Sequence, residues 1–320
     1  MQSTSLREVT EKIRLLKENI KKVIIGKDDV IDYVIIALLS KGNVLLEDVP
    51  GVGKTVLVKA LAESIALQFK RIQFTPDTMP SDILGVNVLN AKTLEFEFKP
   101  GPVFTNILLA DEINRTSPRT QAGLLEAMDE GGVTIDGTFY SLPNPFMVIA
   151  TQNPREHFGT YPLPESQLDR FFISLSMGYL PAEQEVQMLE SQKVMHPLER
   201  VKPVWTREDL LSAQEEVRNV FIHEDILNYI VSLTNATRDD PSFSLGAGPR
   251  ASICLMRGAQ SSALSEGRDY VNPEDVIKVT VPILVHRVIP KEGEGTSRSA
   301  REELLKEVLK KVKIPKVRIP

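Results

Sequence analysis

The chain has 320 residues, of which 42% are hydrophobic and 25% charged, and its formal net charge is -5. That length exceeds what one hydrophobic core usually serves, so we expect two domains, and the acidic balance argues against a large nucleic-acid footprint. The single cysteine excludes an intrachain disulfide, no Cys/His spacing resembles a zinc site, and the lack of a signal peptide or a membrane-length apolar run favours a cytoplasmic protein.

Two helices and a short connector open the chain. The first helix is predicted by apolar residues at spacings of three and four, namely Leu6, Val9, Ile13, Leu16 and Ile20. The second is predicted over Val30 to Leu39 and ends before Gly42. Between them lies the apolar segment Ile24, Ile25 and Gly26, which could flank a purine ring or serve as a plain connector.

The segment LLEDVPGVGKT, residues 45–55, follows a short apolar run and precedes a helical pattern over 56–66. Its turn and the start of its helix consist of Pro50, Gly51, Val52, Gly53, Lys54, Thr55 and Val56. This arrangement is typical of a phosphate-binding loop. In such a loop the backbone N–H groups face the phosphate, a lysine neutralises its charge and a hydroxyl holds magnesium. The strict motif has glycine where this chain has Asp48, and the alternative is a glycine-rich turn followed by a surface lysine.

A second set of polar residues follows a continuous apolar run at 107–110, which is typical of a strand buried on both faces. Asp111 and Glu112 end that strand, at the edge where open α/β sheets bind ligands. Asp111 can hold magnesium, mostly through water, and Glu112 can activate a water for attack on a γ-phosphate. Without the phosphate loop the pair would indicate only a turn.

Two hairpins interrupt the alternation of strands and helices. The first is predicted from strand-like residues at 86–89 and 94–98, after a strand at 71–74. A helix beginning at Pro118 and running to about Met128 precedes the second, whose turn is Asp136-Gly137 within 133–141.

The last strands of the predicted sheet cover 146–150 and 172–175. Asn153 follows the first of these strands and could orient the attacking water, although asparagine there is usually a turn former. Arg170 precedes the second. A guanidinium group such as that of Arg170 can stabilise transition-state charge on a γ-phosphate, often from a neighbouring subunit.

From Pro181 onwards the strand pattern disappears. Helical spacing is found near 182–193, 207–218, 224–237, 249–265 and 273–285, which predicts a separate all-α domain with Arg250 at the start of one helix. Residues 289–297 are typical of a flexible linker, and 298–313 predict a closing helix. Its basic residues are a solvated helix face or a contact for an acidic partner: Lys306, Lys310, Lys311, Lys313, Lys316 and Arg318.

Five motifs together resemble those of the MoxR family of AAA+ ATPases: LLEDVPGVGKT, LLADEINRTSPRTQAGLLEAMDE, VIATQNP, YPLPESQLDRF and GAGPRAS. The resemblance covers about residues 20–285. It implies that Lys54 and Thr55 are Walker A residues and that Asp111 and Glu112 form Walker B. The other implied roles are sensor 1 for Asn153, the arginine finger for Arg170, sensor 2 for Arg250 and the adenine-pocket lining for Ile24, Ile25 and Gly26.

The resemblance also implies an α/β fold, with an AAA+ αβα core over 1–180, a parallel sheet in the order 5-1-4-3-2, an all-α lid over 181–288, and a linker and C-terminal helix over 289–320. The hairpins correspond to a helix-2 insert at about 84–100 and a pre-sensor 1 hairpin at about 131–142. ATP and Mg²⁺ are the implied cofactors. The implied assembly is a homo-hexameric ring that acts on a protein client, with a von Willebrand factor A domain protein as partner.

Three functions compete at this point. A chaperone-like, ATP-driven remodeller of proteins is our first hypothesis, and a DNA-associated motor is the second, because similar hairpins occur in helicase-like AAA+ proteins. The first hairpin offers Lys92 and Lys99 against Glu95 and Glu97, and the second has Asp136 at its tip, so contact with nucleic acid is disfavoured. A small-molecule kinase would leave Arg170 and Arg250 unexplained.

Overall fold

The computed structural model describes residues 2–153, 159–193, 197–291 and 297–317. Arg318 and residues 292–296 of the predicted linker lie outside these ranges. Up to the last strand of the sheet the elements are α1 (Gln2–Lys21), α2 (Asp28–Leu39), β1 (Val44–Glu47), α3 (Lys54–Ser64), β2 (Phe69–Gln73), α4 (Pro80–Leu84), β3 (Gly85–Asn90), β4 (Glu95–Pro100), β5 (Ile107–Asp111), α5 (Pro118–Glu130), β6 (Gly132–Ile135), β7 (Thr138–Ser141), β8 (Met147–Gln152), α6 (Glu165–Leu168) and β9 (Ile173–Leu175). They are followed by α7 (Ala182–Ser191), α8 (Arg207–Asn219), α9 (Glu224–Asp239), β10 (Phe243–Leu245), α10 (Pro249–Ser265), α11 (Pro273–Leu284), β11 (Ile289–Pro290) and α12 (Arg298–Lys310).

Within the described ranges, five strands form one parallel sheet in the order β2-β5-β8-β1-β9. Counted along the chain, these strands have the order 5-1-4-3-2, so the predicted topology is confirmed. β1, β5 and β8 occupy the three central positions, and their residues are almost entirely buried. Because the strands are parallel, the loops that follow β1, β5 and β8 meet at one edge of the sheet, which we call the carboxyl edge.

Helices cover both faces of the sheet. Side chains alternate along a strand, so Leu46 and Ile149 belong to one apolar cluster while Leu45 and Val148 belong to another. α2 and α3 pack in the first cluster and α5 packs in the second. The result is the predicted αβα core.

Both predicted hairpins form, as β3 with β4 and β6 with β7. They pack against each other, since the rings of Phe98 and Tyr140 stack with centroids 3.9 Å apart, and the Asn87 amide donates to Asp136 at 2.7 Å. α5 begins at the predicted Pro118, directly after Ser117, which accepts a hydrogen bond from the Thr120 amide, and it ends at Gly131 in the left-handed conformation with φ 62°.

The second half of the chain is mainly helical, as predicted, but the expectation that it contains no strand is wrong. β10 pairs with β11 in an antiparallel ladder that joins Phe243 to Pro290. β11 lies inside the segment predicted as a linker. Strands of two and three residues are too short to show an alternating pattern in sequence. α12 packs on α9 and α11, and α1 packs on α10 as well as on α3. Across the described residues, every helix is too short or too polar to span a lipid bilayer.

Candidate active site

The loop between β1 and α3 has the backbone of a phosphate cradle. Gly51 and Gly53 adopt φ values of 85° and 93°, in a region where side chains are strained, and α3 begins directly afterwards at Lys54. The Lys54 ammonium folds over its own loop and donates to the carbonyls of Asp48 and Val49, both at 3.3 Å. The N-terminus of α3 therefore lies beside the backbone amides of the glycine turn and the Lys54 ammonium. This is the arrangement that binds phosphate.

Asp48, which departs from the glycine of the strict motif, has a structural purpose that the sequence did not reveal. Its buried carboxylate accepts hydrogen bonds from the Ser176 hydroxyl at 3.0 Å, from the Gly178 amide at 3.1 Å and from the Met177 amide. These contacts join the phosphate loop to the segment that follows β9. The available signal was an acidic residue at the end of an apolar strand, where burial demands partners.

A cavity of about 400 Å³ adjoins the phosphate loop. Its lining includes Ile24, Ile25, Val52, Val56 and Met177. Its size and apolar walls suit a purine ring. Gly26 lies instead at a neighbouring cavity of about 870 Å³, where a Cβ on this glycine would lie 1.9 Å from Oε1 of Gln184.

The acidic pair is held in place by the two strands next to β5. Asp111 accepts from the Thr151 hydroxyl at 2.6 Å and from Nη2 of Arg71 at 2.6 Å. Glu112 has a left-handed backbone, with φ 59°, and its amide donates to the same Thr151 oxygen at 2.9 Å. The Glu112 carboxylate accepts from Gln73 at 2.7 Å. Both carboxylates are therefore fixed by neighbours, of which Arg71 and Gln73 lie outside the five motifs and Thr151 lies within VIATQNP.

Asn153 lies between the phosphate loop and the acidic pair. It follows β8, the strand between β1 and β5, and the Gln152 carbonyl accepts from the Asp48 amide at 3.2 Å. Neighbouring strands are about 4.8 Å apart, so β1 and β5 are separated by about 10 Å at this edge. The structure thus brings Lys54, Asn153 and Glu112 to the carboxyl edge of the sheet. The width of two strand spacings, about 10 Å, leaves room for a triphosphate at this edge.

The donor atoms at the carboxyl edge suit Mg²⁺. Thr55 in the first turn of α3 offers a hydroxyl, and Asp111 offers a carboxylate already oriented by Thr151. Oxygen donors from one or two residues, completed by water and phosphate, are what Mg²⁺ prefers. Thr55 and Asp111 would therefore hold the metal.

Arg170 and Arg250 lie elsewhere, and they lie together. Nη1 of Arg170 is 3.2 Å from Oδ2 of Asp129, and Nη2 of Arg250 is 3.0 Å from Oδ1 of the same carboxylate. Arg170 also donates to the carbonyl of Leu125 at 2.9 Å. Their side chains are 32% and 47% exposed.

The position of this arginine pair follows from the direction of the chain. Arg170 precedes β9, and Asp129 is near the end of α5, a helix that runs back from the carboxyl edge. In the described structure both arginines therefore lie at the opposite, amino edge of the sheet from Lys54. The structure brings the two arginines to each other but not to the phosphate loop of their own chain.

Comparison with known proteins agrees with this architecture. Residues 43–173 match the model of the ATPase family associated with various cellular activities (AAA), and residues 235–308 match the AAA lid domain. The chain is 51% identical to Uncharacterized protein YeaC of Bacillus subtilis over 93% of both chains. It is 41% identical to Chaperone MoxR1 of Mycobacterium tuberculosis over 93% of this chain and 81% of that protein.

A crystal structure of a candidate ATPase from Cytophaga hutchinsonii matches with a TM-score of 0.89 and 39% identity, and the match covers 98% of both chains. The agreement therefore extends over the core, the hairpins and the lid together. With a phosphate loop, an acidic pair and a lid in this arrangement, the chain belongs to the MoxR family of AAA+ ATPases and is an ATP-hydrolysing enzyme.

Proposed function

We propose that this ATPase works as a closed homo-hexameric ring, with Mg²⁺ and ATP at each subunit interface, and remodels a protein client. The observation that carries this proposal is the separation of the site into two edges of the sheet. Lys54 and Glu112 lie at the carboxyl edge, whereas Arg170 and Arg250 lie exposed at the amino edge. Heterologous contacts that close into a ring would bring the amino edge of one subunit to the carboxyl edge of the next.

The residues of the carboxyl edge divide the chemistry among them. Lys54 neutralises the outer phosphates, and Glu112 takes the proton of the attacking water, which the Asn153 amide orients. Thr55 and Asp111 would hold Mg²⁺, and a bound Mg²⁺ would neutralise charge that develops on the phosphate oxygens. Arg170 of the next subunit stabilises the transferring phosphoryl group, and Arg250 lies close enough to Arg170 to act on the same phosphate.

A protein client is supported by the surface of the β3–β4 hairpin. Leu94 is 77% exposed at its tip and Phe96 is 72% exposed beside it, and the charged residues around them, Lys92, Glu95, Glu97 and Lys99, carry two charges of each sign. A projecting apolar tip suits contact with a protein segment, whereas single-stranded DNA would require basic residues around stacking aromatics. A von Willebrand factor A domain protein is the partner that we propose from the family resemblance.

The ring is tested with Glu112→Gln protein, which should bind ATP without turning it over. Light scattering after gel filtration with ATP and Mg²⁺ should give the mass of six subunits. Lys54→Ala protein, which should not bind ATP, is the matched control and should elute at a lower mass. A single-subunit mass for Glu112→Gln protein saturated with ATP would refute the ring.

The client is tested with a second pair of variants. Phe96→Ser and Leu94→Ser in one chain should leave basal ATPase activity within about twofold, because both side chains are exposed and neither lines the cavity beside the phosphate loop. When the same two substitutions are made in Glu112→Gln protein, it should no longer bind the proteins that Glu112→Gln alone captures from a lysate in the presence of ATP. Stimulation of the wild-type ATPase by DNA at moderate salt would instead favour the DNA-associated motor.

A further inference from the structure

Arg287 is a buried arginine at the end of the lid helix α11. Its side chain is 1% exposed, and a guanidinium group in such a place is costly unless its donors are satisfied. Nε donates to Oδ1 of Asp169 at 2.8 Å, and Nη2 donates to the main-chain carbonyl of Asp169 at 3.2 Å. The hydrogen bonds therefore cross from the lid to the core.

The other donors of Arg287 reach the same short segment. Nη2 donates to the carbonyl of Phe171, and Nη1 donates to the carbonyl of Phe172 at 3.1 Å. A further donation from Nη1 to the carbonyl of Ile283 ties the guanidinium to its own helix. The residues held in this way, 169, 171 and 172, flank Arg170 on both sides.

Arg170 itself is left free to point elsewhere. Its guanidinium contacts Asp129 and the Leu125 carbonyl on α5, not Arg287. The arrangement fixes the backbone on which Arg170 is carried while its side chain stays partly exposed at the amino edge. A lysine could not do the same, because it has three donors at one point in place of a planar fork of five.

The neighbouring His286 adds no second positive charge. Complete burial, followed by the nearby Arg287, lowers the pKa of His286 well below its usual value, so the ring is neutral at physiological pH. Its Nε2 lies 3.0 Å from the Phe171 carbonyl, beside the Arg287 contact. The buried positive charge of this contact is therefore that of Arg287, and Asp169 is its counter-ion.

We propose that Arg287 is a positioning residue for Arg170: by clamping residues 169–172 to the lid, it sets where the arginine of one subunit meets the triphosphate of the next. This inference rests on the proposed action of Arg170 between subunits. The same clamp would make the lid and Arg170 move together. The lid helix α11 also lines the cavity of about 870 Å³, which neighbours the cavity at the phosphate loop of its own subunit. A movement of the lid would then be transmitted to the site next door.

The test uses Arg287→Met in the full chain. A shift of about 1 Å in a catalytic group can cost about 100-fold in rate, so we expect kcat of the pure variant to fall 10- to 100-fold. KM for ATP should stay within about twofold, because the phosphate loop is untouched. Arg287→Lys should give an intermediate loss. Asp169→Asn removes the ion pair while leaving the backbone contacts, and replaces Arg287→Met if that variant does not fold.

Mixed rings separate positioning from general damage. Arg287→Met subunits keep a complete ATP site, and Glu112→Gln subunits keep an intact Arg170, so mixing the two should restore activity. Mixing Arg287→Met with Arg170→Ala should restore none, because both lack a working finger. Arg268→Met is the matched control: Arg268 is another lid arginine, paired with buried Asp275 at 2.6 Å but away from residues 169–172. Arg268→Met should lower thermal stability, but it should not show activity that is lost in the pure variant and restored by mixing with Glu112→Gln subunits.

The possible results are distinct. If Arg170→Ala and Arg287→Met are both restored by Glu112→Gln, the inference stands. If only Arg170→Ala is restored, Arg287 has a structural role alone and the inference is overturned while the proposed function survives. If Arg170→Ala is not restored in verified mixed rings, the action between subunits is wrong and the inference falls with it.

Discussion

The two edges of the sheet are built in different ways. At the carboxyl edge Asp111 and Glu112 are held by several partners from their own chain, as when Thr151 binds both Asp111 and the Glu112 amide. At the amino edge Arg170 and Arg250 share the single carboxylate of Asp129 and stay partly exposed. The first edge is organised in advance for phosphate, whereas the two guanidinium groups of the second share one carboxylate and keep part of their surface accessible. In the proposed ring, one chain would therefore contribute residues to two different ATP sites.

The largest effect is expected at the carboxyl edge, from Glu112→Gln. Losing the general base should lower turnover by about 1,000-fold, since positioned acid–base groups contribute roughly 10² to 10⁴. The dissociation constant for ATP should change less than about twofold, because Gln can keep the contact with Gln73. Steady-state phosphate release and equilibrium titration with a fluorescent ATP analogue measure the two quantities. Glu126→Gln on the exposed face of α5 is the control, and equal turnover in both variants would remove Glu112 from the mechanism.

The difference between the edges is tested most directly by Arg250→Ala. If Arg250 acts with Arg170 on the neighbouring triphosphate, turnover should fall about 100-fold, as expected for a lost charge contact in the transition state. ATP binding by dilute, single subunits should not change, because the pair lies at the far edge from their own Lys54. Arg257→Ala on the same helix, where Arg257 donates to Gln260 at 2.9 Å, is the control. Weaker binding by dilute Arg250→Ala subunits would place this arginine in its own chain's site.

A smaller effect is expected from Asp48→Ala. The variant leaves the amides of Met177 and Gly178 without their carboxylate partner, so the phosphate loop loses its connection to the segment after β9, which lines the cavity of about 400 Å³. Hydrogen bonds to a charged group contribute about 1.5–3 kcal/mol, and we expect the ATP dissociation constant to rise about 10-fold. Calorimetric titration with ATP checks this value. Asp48→Asn, which keeps an acceptor oxygen, should lose less than the alanine variant, and the reverse order would contradict the structural role.

The contrast between the edges also explains what the sequence could predict. Continuous apolar strands, a glycine turn and polar residues at strand ends are local signals, and they placed Lys54, Asp111, Glu112 and Asn153 correctly at one edge. Thr151, Arg71 and Asp129 were missed because their importance depends on which strands and helices are neighbours. Arg250 was predicted as a residue that senses phosphate, but no local pattern shows which copy of the chain supplies that phosphate.

The tail shows the same limit. The basic residues that the sequence singled out lie at 306–318, but it is Arg298, at the first position of α12, that is half-buried and donates to Glu47 at 2.6 Å. Arg301 lies 3.5 Å from the same carboxylate. Glu47 is the last residue of β1, directly before the phosphate loop, so α12 is tied to the carboxyl edge. Such a contact between residues that are far apart in sequence leaves no periodic pattern.

The smallest predicted effect concerns this connection and its dependence on pH. Burial raises the pKa of Glu47, but Arg298, Arg301 and the hydrogen bonds from Gln152 and Ser174 outweigh burial, so that the pKa lies below the usual value of 4.5. A carboxyl group with a lowered pKa in the folded state stabilises the protein above its unfolded pKa and loses that contribution as the pH falls through the folded pKa. Glu47→Gln should therefore lower the free energy of unfolding by about 1 kcal/mol at pH 7, since one acceptor oxygen remains.

The same comparison at lower pH distinguishes the ion pair from simple packing. The difference in free energy of unfolding between wild type and Glu47→Gln should shrink as the pH falls below about 4.5, because the wild-type carboxyl becomes protonated and loses its charge. Urea denaturation at a series of pH values measures this difference. Glu63→Gln, at an exposed position of α3, should change the free energy by less than about 0.5 kcal/mol throughout. A difference that persists unchanged at low pH would show that Glu47 acts through its shape, and that α12 is held to the phosphate loop by packing and not by charge.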